Sequence, residues 1–477
     1  MAVLILSPSI EPDRQLLGGK AAGIVRMIQL GVPVPPAFAI TTDECQRFQT
    51  SGAVPEDVLS ALPGAMHALE QQTGMTFGQG PRPLLVAVRS GAPISMPGMM
   101  DTVLNLGMTA EVQASLASLT GNAVFAADVS HRFFEQFCHI VGVDAPHDPW
   151  EQLHAAVAAV FASWGSERAV AYRKDRALPA AGGTAVTIQA MVFGNLDDQS
   201  GTGVLFSRNP MTGTPEPYGE WLARGQGEDI VSGRRDPMPL DALSHKLPEV
   251  HRDLLTQAAK LERVLRDVQD IEFTVQSGKL WLLQTRAAKR SATAAVRLAV
   301  WLRKAGIISI AEAVERVTPA QIAAMRRWHV EPTARATATV LASGRPASPG
   351  VVTGIAVLDH DEAEERASRG EDIIFVRQTT NPDDVRAMIV VKGIVTEVGG
   401  GTSHAAVVSR ELGVACVVGC GLKTVTSLVG RELTLDADSG ELLDGILPIC
   451  RLSESEDLDL ATLRQWAQFE GRNERTT

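Results

Sequence analysis

The chain has 477 residues, with 45% hydrophobic and 21% charged side chains, the balance of a soluble globular protein of two or three domains. A formal net charge of −11 argues against nucleic acid as the main partner, because neutralising phosphates takes a basic surface. No apolar run approaches the ~18 residues of a membrane span, and MAVLILSPSIEPDRQ lacks the basic flank and small-residue cleavage site of a signal peptide, so the N-terminus reads as a first strand of a cytoplasmic protein.

In chain order, LLGGKAAGIVRMIQLGVP (16–33) reads as a Gly-Gly-Lys turn feeding an amphipathic helix with Ile24, Met27, Ile28 and Val32 on its apolar side. Glycines let backbone N–H groups approach an anion, and Lys20 adds a point charge; an ordinary glycine turn with a surface lysine reads the same way. AVRSGAPISMPGMMDTVLNLG (87–107) ends a strand on Arg89 and continues into a Gly/Ser/Pro/Met loop of a length and composition that can close over phosphates. Residues 108–175 are predicted helical, and strand-like runs such as AVTIQAMVF and GVLFSRNP follow, an α/β alternation.

QDIEFTVQSGKLWLLQTRAAKR (269–290) predicts a hairpin around Ser277-Gly278-Lys279. A register symmetric about Gly278 sets Val275 and Phe273 opposite Trp281 and Leu283 on an apolar face, and Glu272 and Asp270 opposite Gln284 and Arg286 on the other. Two carboxylates beside an amide and a guanidinium suit Mg²⁺ and a polyphosphate together; a solvated polar face with one ion pair is the plain alternative.

From 291 to about 337 an Arg-rich helical stretch reads as a connector rather than another sheet, and SGRPASPG (343–350) as a hinge boundary. A second α/β unit runs from 342 to 447 and contains GGGTSHAAVVSRELGVACVVGCG (399–421). Here the pattern predicts a helix from His404 to Leu412, capped by Thr402 or Ser403 and ended by Gly413, with Gly399–Gly401 leaving room for a polyphosphate. His404 then lies in the first helical turn, where the macrodipole favours an anion and a neutral imidazole. A capping or core histidine, a metal ligand and a nucleophile are the three readings; no second His or Cys at ligand spacing supports the metal. The five cysteines (45, 138, 416, 420, 450) read as reduced core thiols. Residues 448–477 carry one short helical pattern, LATLRQWAQFEG.

Taken together, these stretches and SGTGVLFSRNPMTGTPEPYGEWLARGQGEDIVSG (200–233) closely resemble the pyruvate, phosphate dikinase family, in the family's own order. The resemblance implies an ATP-grasp nucleotide domain (1–290), a helical linker (291–341), a swivelling phosphohistidine domain (342–447) and a helical tail (448–477). It implies that Lys20 and Arg89 contact nucleotide phosphates, that Gly98 and Met100 belong to the loop over them, and that Asp270, Glu272, Gln284 and Arg286 form the metal–phosphate cluster, with Asp270, Glu272 and Gln284 as Mg²⁺ ligands. His404 matches the histidine that is transiently phosphorylated, with Arg89 and Arg286 as its catalytic helpers and Thr402 among the nucleotide-binding residues. ATP is the implied substrate, and inorganic phosphate or water the implied acceptor of its terminal phosphate.

Two departures stand out. Gly401 replaces the family's usual Met, which predicts a looser loop, and Asp236 replaces a frequent Thr. The family continues into a barrel that binds pyruvate or phosphoenolpyruvate, whereas this sequence stops at Thr477, so the implied acceptor is a separate barrel chain or another small molecule.

Overall fold

The apolar N-terminus is a strand. Val3–Ile5 pairs antiparallel with Ala37–Ile40, which pairs in turn with Ala185–Ala190, then Val86–Gly91, then Thr102–Leu106, giving a five-stranded antiparallel sheet. The computed structural model describes residues 2–94, 96, 99–175, 178, 182–231, 237–324, 328–451 and 457–473. They divide into two compact units: the first comprises Met1–Thr202, Ala223–Gln226 and Glu272–Arg286, the second Gly203–Leu222, Gly227–Ile271 and Ala287–Thr477. The chain passes from one to the other within the strands Gly201–Phe206, Tyr218–Ala223, Gln269–Gln276 and Lys279–Ala287.

In the first unit the predicted helical stretch is four helices, Ala110–Thr120, Ala123–Val141, Pro149–Ser163 and Glu167–Asp175. Their starts are written locally: Thr109, Asn122 and Asp148 each accept a hydrogen bond from a backbone N–H of the first turn, and Pro149 occupies a position where no N–H is needed. Left-handed glycines, Gly121 and Gly142, stop the first two. Val86 and Val88 of the sheet and Phe161 of the third helix are completely buried.

In the second unit the connector is helical over Ala292–Lys304, Ile310–Glu315, Pro319–Ala324 and Pro332–Thr337, with a Ser309/Glu312 capping box. It is not purely helical: Trp328–Val330 pairs with Ile449–Arg451 in a small two-stranded sheet, which the arginine-rich composition hid. Leu460 and Leu463 of the terminal helix Leu458–Asn473 pack into the same core cluster as Val296 and Val300 of the connector.

The remaining sheet has eight strands. Val351–Val357, Ile373–Arg377, Gly393–Thr396 and Ala415–Val418 run parallel, and antiparallel strands flank them. The stretch 343–350, read as a hinge, instead supplies parts of the two opposite edges, Val340–Ser343 and Arg345–Ser348, separated only by Gly344. Since one residue joins the two edges, the sheet must curl until they meet. Gly344 serves that crossing: a Cβ there would lie 2.6 Å from the Val418 carbonyl oxygen. Among the described residues, no helix is long and apolar enough to cross a membrane.

Candidate functional site

In the first unit a charge cluster is assembled by one glycine contact. Asp13 caps the helix Arg14–Gln29, so the helix starts ahead of the Gly-Gly-Lys sequence, not after it as expected. Gly18 interrupts it with φ 69°, and a Cβ there would fall 1.6 Å from the Gly91 carbonyl oxygen. Gly19 N donates to the Ala92 oxygen at 2.8 Å. The kinked helix is therefore pressed onto the end of strand Val86–Gly91, and Lys20 is delivered beside Arg89 of that strand.

Arg89 donates from Nη2 to Glu272 Oε2 at 3.0 Å and from Nη1 to Gln189 Oε1 at 3.4 Å. Burial, then the Arg89 charge, holds the Lys20 ammonium well below its ordinary range, with Arg286 acting in the same sense and Glu272 against it. For Glu272, burial opposes its charge, but Arg89, Arg286 and Lys20 outweigh it and keep the carboxyl below its usual value. Arg89, Arg286 and Lys20 thus converge on the Glu272 carboxylate, a concentration of basic groups that suits a polyphosphate inside an acidic protein.

The other predicted residues distribute unevenly. Met100 is half-buried in the loop after Arg89, which Arg168 pins through an ion pair to Asp101 and a 3.3 Å hydrogen bond from Nε to the Met99 oxygen. Gly98 and Asp236 lie outside the described residues. Gln284 is buried on the second hairpin strand, and Asp270 is buried near the start of the first. Within the second unit, Asp270 and Tyr218 act electrostatically on Arg410, a completely desolvated guanidinium that donates to the Ala347 oxygen at 3.0 Å.

Next to its turn, the hairpin register differs from the expected one. Strands end at Gln276 and resume at Lys279, and Ser277 and Gly278 both have positive φ, 48° and 76°. That is a two-residue turn, which centres the pairing beside it between Ser277 and Gly278 rather than on Gly278, whereas at the far end Ala288 N donates to the Val268 oxygen at 2.9 Å, a pair symmetric about Gly278. Burial follows the shift: Leu280 and Leu282 are in the core, whereas Trp281 and Leu283 are only half-buried.

In the second unit the helix His404–Leu412 forms as predicted, with left-handed Gly413 closing it. Its start also falls where predicted, but without the side-chain capping bond. Ser403 occupies the cap position, yet its hydroxyl makes no capping bond and has no partner among the described residues. Thr402 instead donates its hydroxyl to Glu220.

His404 is 9% exposed, and its Nδ1 lies 3.1 Å from Thr380 Oγ1. Its Nε2 is buried without a hydrogen-bond partner among the described residues. Burial pushes the imidazole down to about 4, so the ring is neutral at pH 7. In the tautomer that donates from Nδ1 to Thr380 Oγ1, the lone pair resides on Nε2. A neutral, oriented ring with one unpartnered basic nitrogen at a helix start is equipped as a nucleophile toward an anionic electrophile.

The glycine loop is more tightly filled than its composition suggests. Glu220 Oε1 accepts from Gly401 N at 2.8 Å and Oε2 from Thr402 N at 3.0 Å. A Cβ at Gly400 would sit 2.3 Å from Glu220 Oε1, and one at Gly401 2.1 Å from Tyr218 Oη. The room expected there for a polyphosphate is thus taken by protein, and Gly401 is a point of close packing rather than of looseness. Thr380, Tyr218 and Glu220 escaped the sequence reading. A lone carboxylate within the strand sequence YGEWLA was the available signal for Glu220.

Two family models match the chain: "Pyruvate phosphate dikinase, AMP/ATP-binding domain" over residues 14–60 and 50–251, and "PEP-utilising enzyme, mobile domain" over 370–440. The chain belongs to the pyruvate, phosphate dikinase family. It is 38% identical to pyruvate, phosphate dikinase of Rhizobium meliloti (strain 1021), over 96% of this chain and 59% of that protein. It is 39% identical to chloroplastic pyruvate, phosphate dikinase 1 of Zea mays, over 95% and 54%, and 38% identical to the dikinase of Clostridium symbiosum, over 91% and 56%. The chain therefore spans a little over half the length of these curated relatives. Lys20, Arg89 and Glu220 fall in the first matched region and His404 in the second; the hairpin bearing Glu272, Gln284 and Arg286 lies outside both.

Proposed function

We propose that this chain is an ATP-dependent phosphotransferase that phosphorylates its own His404 in an AMP-forming, dikinase-type half-reaction. The observation that carries this reading is the division of labour on one buried ring: Nδ1 engaged by Thr380 and Nε2 unpartnered among the described residues. The lone pair of Nε2 attacks the β-phosphorus of ATP, the bond from that phosphorus to the α-phosphate oxygen breaks, and AMP departs with that oxygen. The positive charge gained by the ring is shared with Nδ1–H and stabilised by Thr380. Transfer through a covalent histidine splits one difficult exchange into two easier ones.

Lys20, Arg89 and Arg286 bind and orient the polyphosphate, and Arg89 and Arg286 stabilise charge as it moves. The donors available to Mg²⁺ are the ionised Glu272 and the amide oxygen of Gln284, a small oxygen set that fits an ion retaining water and phosphate ligands; the family resemblance adds Asp270. When bound, Mg²⁺ neutralises phosphate charge. The γ-phosphate passes to inorganic phosphate, and the remaining phosphoryl group to an acceptor such as pyruvate on a separate barrel chain or another small molecule.

Incubation with β-labelled ATP and Mg²⁺, with and without inorganic phosphate, tests the reading. AMP formation and an acid-labile label on the protein are expected, both lost in His404→Ala. An unlabelled wild-type protein overturns it, and the ratio of pyrophosphate to phosphate released identifies the γ-phosphate acceptor.

A further inference from the structure

Glu220 is 1% exposed, and it stands at the centre of a strand otherwise filled by apolar residues. Burying a carboxylate costs several kcal/mol unless donors surround it. Here the donors are Gly401 N at 2.8 Å, Thr402 N at 3.0 Å, the Thr402 hydroxyl and Arg345 Nη1 at 3.1 Å. Three of the four belong to the two residues at positions 401 and 402, just ahead of Ser403 and His404. The carboxylate thus fixes the loop immediately ahead of the helix rather than capping its first turn, and Ser403 leaves its own capping bond unmade. The approach is close enough to exclude side chains at Gly400 and Gly401, the second because Tyr218 Oη occupies the space.

We propose that Glu220 is the positioning residue of the phosphohistidine loop: its clamped carboxylate, with Tyr218 packed beside it, seats residues 400–402 so that His404 is held in register for phosphoryl loading. Gly401, the departure from the family's usual methionine, is the adaptation that admits this seat. The proposal rests on His404 being the phosphoryl carrier, and it assigns to Glu220 no contact with the nucleotide.

Glu220→Gln tests the clamp with little change of shape. Whichever way the amide turns, its NH₂ faces the N–H of Gly401 or that of Thr402, so one acceptor becomes a donor–donor conflict. Single-turnover labelling of the full chain with β-labelled ATP is expected to slow by up to about 100-fold with an unchanged half-saturating ATP concentration, as for a misplaced reacting group. Amide exchange at residues 401 and 402 is expected to quicken about 10-fold or more. Gly401→Ala should do the same from the other side, and Tyr218→Phe in that background should restore both readouts by removing the hydroxyl that a Cβ meets at 2.1 Å. A merely structural role would lower stability without this split between a slowed rate and an unchanged half-saturating ATP concentration.

Wild-type exchange and labelling in Glu220→Gln, or no rescue of Gly401→Ala by Tyr218→Phe, overturns the proposal. If the wild-type protein takes no label, the carrier reading fails on its own, and amide exchange still decides whether the seat exists.

Discussion

Thr380 Oγ1 sits 3.1 Å from His404 Nδ1, while Nε2 of the same ring has no hydrogen-bond partner among the described residues. The threonine orients the ring through Nδ1, and Nε2 is the nitrogen left free to attack. Thr380→Val preserves the shape and deletes the hydroxyl. Single-turnover AMP formation should fall about 10-fold, the worth of one buried hydrogen bond, while Thr380→Ser retains most of the rate. An unchanged rate in Thr380→Val would show that the ring is oriented by packing alone.

The pH dependence follows from the His404 ring, which burial pushes from 6.5 down to about 4. Between those two values the unfolded chain binds a proton that the folded protein does not. Stability therefore falls as pH drops from 6.5 towards 4, by about 3 kcal/mol across that window, and no further contribution arises below it. Urea unfolding of wild type and His404→Gln over pH 4–7 should show a slope in the first that is reduced in the second. Labelling at low ATP should show no inflection near pH 6.5, because the ring is already neutral there.

Glu272 is the carboxylate on which Arg89, Arg286 and Lys20 act together. Glu272→Gln removes the negative charge that Arg89, Arg286 and Lys20 share, so the nucleotide-free protein should lose about 1–3 kcal/mol of stability. ATP without metal would now supply the missing negative charge, and its thermal stabilisation should exceed that of wild type. With Mg²⁺ present, phosphorylation of His404 should nevertheless fall, since a proposed oxygen ligand has lost its charge. Thermal shifts with and without ATP, beside the labelling assay, separate the two effects.

How much of this is legible in the sequence depends on how local each feature is. Helix ends marked by Thr109, Asn122, Asp148 and Gly413 follow from side chains or φ preferences within a few residues. The hairpin is recognisable, but its register turns on whether the turn holds two residues or three, and positive φ at Ser277 is not a residue-type signal. Lys20, Arg89, Glu272 and Arg286 stand out in the sequence because their motifs are distinctive; that they meet is a property of the fold. Glu220, 181 residues from Gly401, shares no pattern with the loop it holds. The glycines look like space for a ligand, and only the partner strand shows that part of the space is filled.

Gly18 offers the sharpest test of how the phosphate cluster is built. Its φ of 69° disfavours any side chain, and the added Cβ would stand 1.6 Å from the Gly91 carbonyl oxygen, a backbone atom that cannot rotate aside. Gly18→Ala must push the Arg14–Gln29 helix away from strand Val86–Gly91, at a cost of about 2–4 kcal/mol. That displacement separates Lys20 from Arg89, relieving the charge repulsion that helps hold the lysine low, so the Lys20 ammonium should titrate closer to its ordinary 10.5. Gly31 supplies the control: its φ of 66° is similar, but an added Cβ would meet nothing within 4 Å, so Gly31→Ala carries the backbone strain without the clash. ATP affinity should weaken in Gly18→Ala and stay at the wild-type value in Gly31→Ala, as measured by equilibrium binding at matched temperature below both unfolding transitions. Equal affinities in the two variants would mean that the helix-to-strand contact does not position the lysine.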